Sequence, residues 1–349
     1  MKRFALIGCG RIAKKHAEVI KHLQGASLAA VADIVPGKAE HFGKTYGVKW
    51  YTDYMKMLES EDIDIVNILT PSGAHISVGM DVVKKKKHII IEKPLSLNVK
   101  DADKIIHLAR ENNVSLFVVK QNRYNLPVVK LKEALDAGRF GKLVLGAVRV
   151  RWCRKQDYYD LDPWRGTKAM DGGVLTNQAS HHIDLLQWLL GPVDSVIAKT
   201  ATMLARIETE DTGVVIVKFR NGALGVIEAT TCARPVDLEG SISVLGEKGS
   251  VEIGGFAVNE MKTWIFDKFI PGDDDMGKYS QNPPNVYGFG HYRFMEEALE
   301  CINTGRKFLV DGIEGKKSVE LINAIYKSAE TGKEVFIGKK GHFMEEEIC

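Results

Sequence analysis

The first third of the chain alternates short apolar runs with longer amphipathic stretches. The runs are hydrophobic on both faces of a strand, as in buried parallel sheets, and the stretches between them have helical spacing. The pattern therefore predicts an α/β domain with a doubly wound parallel sheet. Its predicted strands are Phe4–Gly8, Leu28–Asp33, Ile63–Thr70, His88–Glu92 and Ser115–Lys120, and its clearest helices are Ile12–Leu23 and Val99–Glu111.

After residue 122 the pattern becomes typical of an antiparallel sheet. Lys142–Arg151 predicts a long strand that is apolar on both faces at its start and on one face at its end. Asn221-Gly222 is a strong hairpin signal between the strand-like runs Asp211–Arg220 and Ala223–Thr231. Further strands are predicted at Ser241–Leu245 and Ser250–Ile253, and further helices at Val174–Leu190, Tyr292–Asn303 and Ile313–Glu330. This half predicts an α+β domain with a large open antiparallel sheet.

The length of 349 residues exceeds the roughly 250–300 residues over which a single core usually grows. We therefore predict two domains, over residues 1–122 and 123–338, followed by a charged tail over 339–349. Pro271–Asn285 contains Pro-Gly, Pro-Pro and acidic residues and predicts a long loop.

Composition excludes several classes of protein. A chain with 45% hydrophobic and 27% charged residues is typical of globular proteins, and a net charge of +3 is too even for a nucleic-acid-binding surface. The basic run Lys84–Lys87 is interpreted as a solvated helix end. The five cysteines show no metal-ligand spacing, so neither a disulfide framework nor a metal site is indicated. The first residues lead directly into a strand, and no apolar run reaches membrane-spanning length, so we expect a cytoplasmic protein.

The first predicted strand runs into the glycine pattern Gly8-Cys9-Gly10-Arg11-Ile12-Ala13, which opens a helix. Gly8 permits a tight turn, Gly10 lets the backbone approach a pyrophosphate, and Ala13 lets the helix pack closely on the strand. The phosphates would then meet free N–H groups and the positive end of the helix dipole. The pattern predicts a dinucleotide site.

Asp33 ends the second predicted strand. A carboxylate there accepts hydrogen bonds from the ribose diol and repels a 2′-phosphate, so the predicted cofactor is NAD rather than NADP. The loop Thr70–His75 follows the next strand, where loops line the ligand crevice of a doubly wound sheet, and is a candidate cofactor contact.

Two further segments predict chemistry. Lys93, in Glu92-Lys93-Pro94, follows a buried strand, where its ammonium could bond a substrate hydroxyl and stabilise developing negative charge; solvent exposure is the alternative. In the helix Val174–Leu190 the polar residues Asn177, His181 and Asp184 follow at i, i+4 and i+7. A buried polar stripe needs partners, and a ligand crevice supplies them.

Together, the glycine pattern, Glu92-Lys93-Pro94 and the Gly172-Gly173…His181-x-x-Asp184 helix resemble the Gfo/Idh/MocA oxidoreductases over nearly the whole chain. The resemblance implies a Rossmann domain, NAD-dependent dehydrogenation, and catalysis by Lys93 and His181, with Asp184 favouring His181 over His182. Inositol-dehydrogenase-like members carry Asp where this chain has Asn177, which weakens the inositol interpretation.

The resemblance is greatest to UDP-N-acetylglucosaminuronate 3-dehydrogenases of bacterial surface-polysaccharide pathways. It implies a nucleotide-sugar substrate, oxidised at C3. The residues expected to bind NAD are Gly8, Gly10, Arg11, Ile12, Asp33, Thr70, Pro71, His75, Glu92, Lys93 and Gln121. Those expected to bind substrate are Lys93, Tyr124, Arg154, Tyr159, Trp164, Arg165, Asn177 and His181, and Arg123, Arg151 and Lys155 are further candidate anion contacts.

Three alternatives stay open: a dehydrogenase of unoxidised UDP-N-acetylglucosamine, an inositol-type dehydrogenase, and an NAD-binding regulator without turnover. We expect neither a nucleic-acid nor a membrane partner. The open sheet is expected to pack against another copy of the chain in a dimer or tetramer.

Overall fold

The computed structural model describes residues 1–280, 290–338 and 343–344. The chain divides into two compact units, the first formed by residues 1–121 with 290–319 and the second by the described residues within 122–289 and 320–349. The predicted tail lies outside the described residues except for 343–344, and the predicted loop over 271–285 is described only as far as residue 280.

The first unit contains a six-stranded parallel sheet in the order β3-β2-β1-β4-β5-β6. Its strands are β1 Lys2–Ile7, β2 Ala26–Ala32, β3 Lys49–Tyr51, β4 Ile65–Ile68, β5 His88–Ile91 and β6 Leu116–Val118. Its helices in the N-terminal segment are α1 Arg11–His22, α2 Pro36–Tyr46, α3 Tyr54–Ser60, α4 His75–Lys84 and α5 Val99–Glu111. This confirms the predicted Rossmann arrangement. The short β3 was not predicted, because its exposed Lys49 and Trp50 give no apolar alternation.

The segment 290–319 was predicted to belong to the second domain, whereas the structure groups it with the first unit. It contains α9 Gly290–Thr304 and the start of α10 Gly312–Thr331. Val118 N–H donates to Val310 O at 3.2 Å, and the rings of His16 and His291 meet edge to face, 5.6 Å apart. These contacts join the late segment to β6 and α1.

The second unit contains, among its described residues, a nine-stranded sheet in the order β13-β12-β11-β7-β10-β9-β8-β14-β15. Its strands are β7 Leu143–Arg151, β8 Val193–Ala201, β9 Thr212–Phe219, β10 Leu224–Thr230, β11 Glu239–Gly246, β12 Gly249–Gly254, β13 Glu260–Phe266, β14 Val335–Ile337 and β15 Phe343–Met344. Its remaining helices are α6 Leu126–Asp136, α7 Gln156–Asp160 and α8 Ser180–Leu190.

The predicted hairpin is present as the antiparallel pair β9–β10, and the strands predicted at Ser241–Leu245 and Ser250–Ile253 pair antiparallel as β11–β12. The predicted large antiparallel sheet is confirmed, with one parallel pair in it, β7 with β10. The reason is topological: β11 pairs antiparallel with one edge of β7, and the β9–β10 hairpin takes the other edge.

The core of the second unit lies between α8 and one face of this sheet. Gly146 of β7 permits close packing, because a Cβ there would lie 2.5 Å from the side chain of Leu190. Every helix that the structure describes is too short or too polar to cross a bilayer.

Candidate active site

The glycine-rich turn joins β1 to α1. Gly8 has a φ of +102°, and a Cβ there would lie 2.7 Å from Leu69 O, so this position requires glycine. Gly10 directly precedes α1, and a Cβ there would meet nothing within 4 Å. Arg11 and Ile12 begin the helix, so their N–H groups lie in its first turn. The open space at Gly10 and the helix N-terminus fit the pyrophosphate of NAD.

Asp33 follows β2 and is bound to this turn. One carboxylate oxygen accepts the N–H of Cys9 at 2.7 Å, and the other accepts the N–H of Val35 at 2.8 Å. Because each carboxylate oxygen has two lone pairs, both can also accept a ribose hydroxyl. The side chain is thereby held at the place predicted for NAD selection.

His75 occupies a different environment from the one expected of a direct cofactor contact. It is 1% exposed, and its ring nitrogens lie 2.7 Å from Pro94 O and 3.0 Å from Thr70 O. Burial lowers the pKa of His75, so the ring is neutral and donates to one carbonyl at a time. His75 connects the Thr70-Pro71 loop to the loop after β5.

Glu92 is likewise committed within the protein. Its Oε1 lies 2.8 Å from His16 Nε2 and 3.7 Å from His291 Nε2, and its Oε2 accepts the N–H of Lys93 at 3.1 Å. Burial favours a raised pKa, but the two imidazoles outweigh it and hold the pKa of Glu92 well below its ordinary value. Within the protein, the Glu92 carboxylate thus contacts two imidazoles and the backbone of Lys93.

The hydrogen-bond pattern also defines the state of His16. Asn67 Nδ2 lies 2.9 Å from His16 Nδ1, so Nδ1 accepts and Nε2 carries the proton donated to Glu92. Ligand atoms of His16, Glu92 and His291 lie within 4.8 Å of one another. Sequence reasoning missed His16 and His291; a histidine on the buried face of α1 was the available signal.

The predicted cofactor residues of the first unit share one edge of its sheet. Gly8 follows β1, Asp33 follows β2, Thr70 follows β4, Lys93 follows β5, and Gln121 follows β6. Since carboxyl ends of parallel strands meet at one edge, these positions form the rim of one crevice. Lys93 is partly buried and Gln121 is 4% exposed.

In the second unit, the predicted helix Val174–Leu190 is not uniform. Residues Val174–Gln178 form a π-helical turn, in which Ala179 N–H donates to Val174 O at 2.8 Å, and the α-helix begins at Ser180. The α-helical i, i+4 relation between Asn177 and His181 is therefore wrong, because a π turn holds more residues per turn.

Glu210 explains the glycine pair before this turn. Its carboxylate accepts the N–H of Leu175 at 3.0 Å and the hydroxyl of Tyr326 at 2.8 Å. A Cβ at Gly173 would lie 1.8 Å from this carboxylate, so a side chain there would displace it. Burial raises the pKa of Glu210. The sequence pattern did not reveal Glu210.

Asn177 is oriented by a neighbouring carboxylate. Its amide Nδ2 donates to Asp171 Oδ1, and Asp171 Oδ2 accepts the N–H of Gly166 at 2.7 Å. His181 is 9% exposed and lies in the first turn of α8.

His182 faces the protein interior. It is 1% exposed, its ring meets Trp152 edge to face at 5.9 Å, and a Cβ at Gly240 would lie 2.9 Å from its Nε2. Burial lowers the pKa of His182 to about 4, so it is a neutral core residue at pH 7.

Arg123, a candidate anion contact, instead pairs with Asp184. The bidentate contact has hydrogen bonds of 2.7 and 2.8 Å, and the two side chains are 2% and 3% exposed. The guanidinium also lies 4.8 Å from the ring of Trp188. Asp184, expected on a ligand-facing stripe, therefore has an internal partner.

Three expected substrate residues stack with a neighbouring tyrosine in what we call the arginine–aromatic cluster: Arg154, Trp164 and Arg165 with Tyr158. Arg165 lies 4.6 Å from the ring of Tyr158 and 4.5 Å from that of Trp164, and Arg154 lies 5.5 Å from the ring of Tyr158. Gln178 Nε2 donates to the Tyr158 hydroxyl at 3.1 Å. The cluster is thereby connected to the turn that precedes His181.

The arginines near this cluster have acidic partners within the protein. Arg151 binds Glu228 and Glu239, Arg154 binds Asp237, and Arg165 binds Asp162. This weakens the expectation, based on charge, that these side chains are a ready-made anion site. Lys155 directly precedes α7.

The two predicted tyrosine contacts differ in burial. Tyr159 is 8% exposed, and its hydroxyl lies 3.0 Å from Thr231 Oγ1. Tyr124 is partly buried at the end of the 3₁₀ helix Gln121–Tyr124.

The chain matches family models along most of its length. Residues 2–120 match the model described as "Oxidoreductase family, NAD-binding Rossmann fold", and residues 132–337 match "Oxidoreductase family, C-terminal alpha/beta domain".

Two solved structures are similar over almost the whole chain. They are WlbA dehydrogenases crystallised with NADH and UDP-GlcNAcA. The Bordetella pertussis protein is 39% identical with a TM-score of 0.91, covering 97% of this chain and 98% of the other. The Chromobacterium violaceum protein is 42% identical with a TM-score of 0.92, covering 97% and 96%. Among curated proteins, a myo-inositol 2-dehydrogenase from Thermotoga maritima is 29% identical over 95% of this chain and 98% of its own length.

Proposed function

The chain belongs to the Gfo/Idh/MocA family and is an NAD-dependent dehydrogenase of sugars or polyols, and on this premise we propose that it oxidises C3 of UDP-N-acetylglucosaminuronate. The observation that carries the proposal is the 39–42% identity to two WlbA dehydrogenases crystallised with that nucleotide sugar. The product would enter the synthesis of surface-polysaccharide sugars. We also propose that the protein is cytoplasmic, because its described cysteines are free thiols, which persist in a reducing compartment.

We assign the chemistry to Lys93 and His181. Bound NAD supplies the hydride acceptor. His181 accepts the proton of the sugar hydroxyl, because imidazole is suited to proton exchange near neutral pH. Lys93 donates a hydrogen bond to the same oxygen and stabilises its partial negative charge. Lys93 follows β5 at the carboxyl edge of the parallel sheet, which supports this assignment.

Substrate orientation falls to the second unit. Asn177 orients the sugar, with its amide held by Asp171. Candidate contacts to the uronate and diphosphate are Tyr124, Arg154, Tyr159, Trp164 and Arg165. Because Arg154 and Arg165 already bind carboxylates, substrate anions would compete with Asp237 and Asp162 or share the guanidinium with them.

A polyol substrate is the second candidate, favoured by the 29% identity to a myo-inositol 2-dehydrogenase. A panel of UDP-N-acetylglucosaminuronate, UDP-N-acetylglucosamine and myo-inositol, scored by NADH absorbance, tests the proposal. We expect the uronate to have the highest kcat/KM, by about tenfold to a hundredfold over the sugar without the carboxylate. Turnover of inositol alone would favour the polyol reaction, and NAD binding without turnover of any sugar would favour a regulator.

We also propose a homo-oligomer that uses the open face of the second sheet. Ile197, Ile216 and Val226 are cross-strand neighbours on β8, β9 and β10, and they are 42%, 56% and 37% exposed. An apolar row of this kind on a sheet face is typical of an interaction surface. A second copy of the chain, presenting the same row, would cover it.

A further inference from the structure

Cys153 and Cys232 face each other across an antiparallel backbone bridge just beyond β7 and β10. Two hydrogen bonds enclose the pair, from Arg154 N–H to Thr231 O at 2.9 Å and from Ala233 N–H to Trp152 O at 3.1 Å. In a bridge of this type the Cα atoms lie about 4.5 Å apart and the side chains leave from the same face. Disulfides span Cα separations of about 4.4–6.8 Å. The backbone therefore already has a spacing that a disulfide accepts.

Both residues are thiols and both are partly exposed, unlike Cys9 and Cys301, which are buried. The Sγ of Cys153 lies 3.3 Å from Pro235 O, and the Sγ of Cys232 accepts a contact from Thr212 Oγ1 at 3.6 Å. Sulfur hydrogen bonds are weak, so rotation about χ1 can replace these contacts with a bond between the two sulfurs.

We propose that Cys153 and Cys232 form a reversible disulfide when the protein meets a low-molecular-weight disulfide oxidant such as oxidised glutathione. One cysteine thiolate attacks the small disulfide, giving a mixed disulfide and releasing one small thiol. The second cysteine then attacks the protein sulfur of the mixed disulfide and releases the second small thiol. The protein loses two electrons and two protons, and the oxidant gains them as two thiols.

The position of this pair connects it to substrate binding; this step rests on the proposed function. Arg154 follows Cys153, and its guanidinium donates to Asp237 at 2.8 Å, the carboxylate that also accepts the Cys153 N–H at 2.6 Å. On the other side, Thr231 precedes Cys232 and contacts the Tyr159 hydroxyl. A disulfide would take the Cys153 sulfur from Pro235 O and the Cys232 sulfur from Thr212, and we infer that the side chains beside them, Arg154 and Tyr159, shift in response.

The first experiment measures the bond itself. The purified protein is titrated with oxidised glutathione and mapped by peptide mass spectrometry without reduction. We expect a peptide that joins Cys153 to Cys232, two hydrogens lighter than its reduced parts, which dithiothreitol restores. Cys153→Ser and Cys232→Ser should each leave a glutathione adduct on the remaining partner, and Cys301→Ser is the matched control that still forms the bond. Glutathione adducts on both cysteines of the wild type, with no joined peptide, would overturn the proposal.

The second experiment measures its consequence. Oxidised wild type should show a KM for UDP-N-acetylglucosaminuronate raised about tenfold, because small displacements of positioning groups weaken binding and rate. NAD affinity should stay unchanged, and Cys153→Ser should show no response. A joined peptide with an unaltered KM would overturn the regulatory role. Absence of turnover in the reduced enzyme would contradict the proposed function alone, since the mass measurement is independent of activity.

Discussion

The guanidinium of Arg123 binds the carboxylate of Asp184 through two hydrogen bonds, both partners being almost fully buried. This pair joins the start of the second unit to α8, the helix that carries His181. Because Arg123 and Asp184 are buried and bound to each other, we expect them to stabilise this helix rather than to bind a ligand.

Arg123→Met should destabilise the protein by about 3–5 kcal/mol, because it leaves the Asp184 carboxylate buried without its cation. Chemical denaturation measures this change. The matched control is the double variant Arg123→Met/Asp184→Leu, which removes both charges and should recover much of the loss. Unchanged stability with a raised substrate KM would instead make Arg123 an anion contact.

The two neighbouring histidines should differ in function. Lys93→Met and His181→Ala should each lower kcat by about 10²–10⁴-fold, with little effect on NAD affinity, because each removes a group proposed to act on the substrate oxygen. His182→Ala should mainly lower stability, since His182 packs against Trp152 in the core. Single-turnover kinetics measure the loss of the chemical step in the Lys93 and His181 variants, and thermal melts measure the loss of stability in the His182 variant. Turnover lost in the folded His182 variant but kept in the His181 variant would reverse the assignment.

Asp33 should determine cofactor choice. Wild type should bind NAD much more tightly than NADP, and Asp33→Ala should narrow the difference by removing the charge that repels a 2′-phosphate. Asp33→Asn is the closer control, since its amide oxygen can still accept the Cys9 N–H. Fluorescence titration of both cofactors gives the affinities. Equal affinity of the wild type for the two would falsify the assignment.

Burial of His182 predicts a pH-dependent stability. Its pKa falls from 6.5 to about 4, so the unfolded chain takes up this proton first as the pH decreases. The stabilising contribution of neutral, buried His182 to the free energy of unfolding is therefore fully present above pH 6.5 and is lost as the pH falls from 6.5 to 4. Over that window wild type should lose roughly 3 kcal/mol more unfolding free energy than His182→Leu. Parallel slopes for the two proteins, measured by urea denaturation at four pH values, would contradict this.

The exposed sheet row should control assembly. Ile216→Glu places a charge in the centre of the row formed with Ile197 and Val226, so we expect dissociation to monomers by light scattering. Leu309→Glu is the matched control, because Leu309 is an exposed apolar residue of the first unit. An unchanged mass for Ile216→Glu would exclude this face as the interface.

Local patterns in the sequence were sufficient for the fold class, the NAD site type and the family. Gly8 and Gly10 predict the turn because a side chain is not tolerated where the backbone is tight or approaches a ligand. Asn221-Gly222 predicts the β9–β10 hairpin because Gly222 adopts the positive φ that the turn needs. Strands β1 and β5 are mostly apolar on both faces, so their burial can be predicted from each segment alone, without knowledge of the strands beside it. The catalytic roles of Lys93 and His181 remain predictions.

Tertiary structure decided which polar side chains have internal partners, because those partners are distant in sequence. Glu92 meets His291 from α9, and Glu210 meets Leu175 and Tyr326. No periodicity along one segment encodes such pairs. The π turn before His181 was not predicted from the sequence either. It is a matter of local hydrogen bonding, and it lies beside the carboxylate of Glu210, which is distant in sequence. A sequence specifies which groups need partners, but only the packed chain determines which groups supply them.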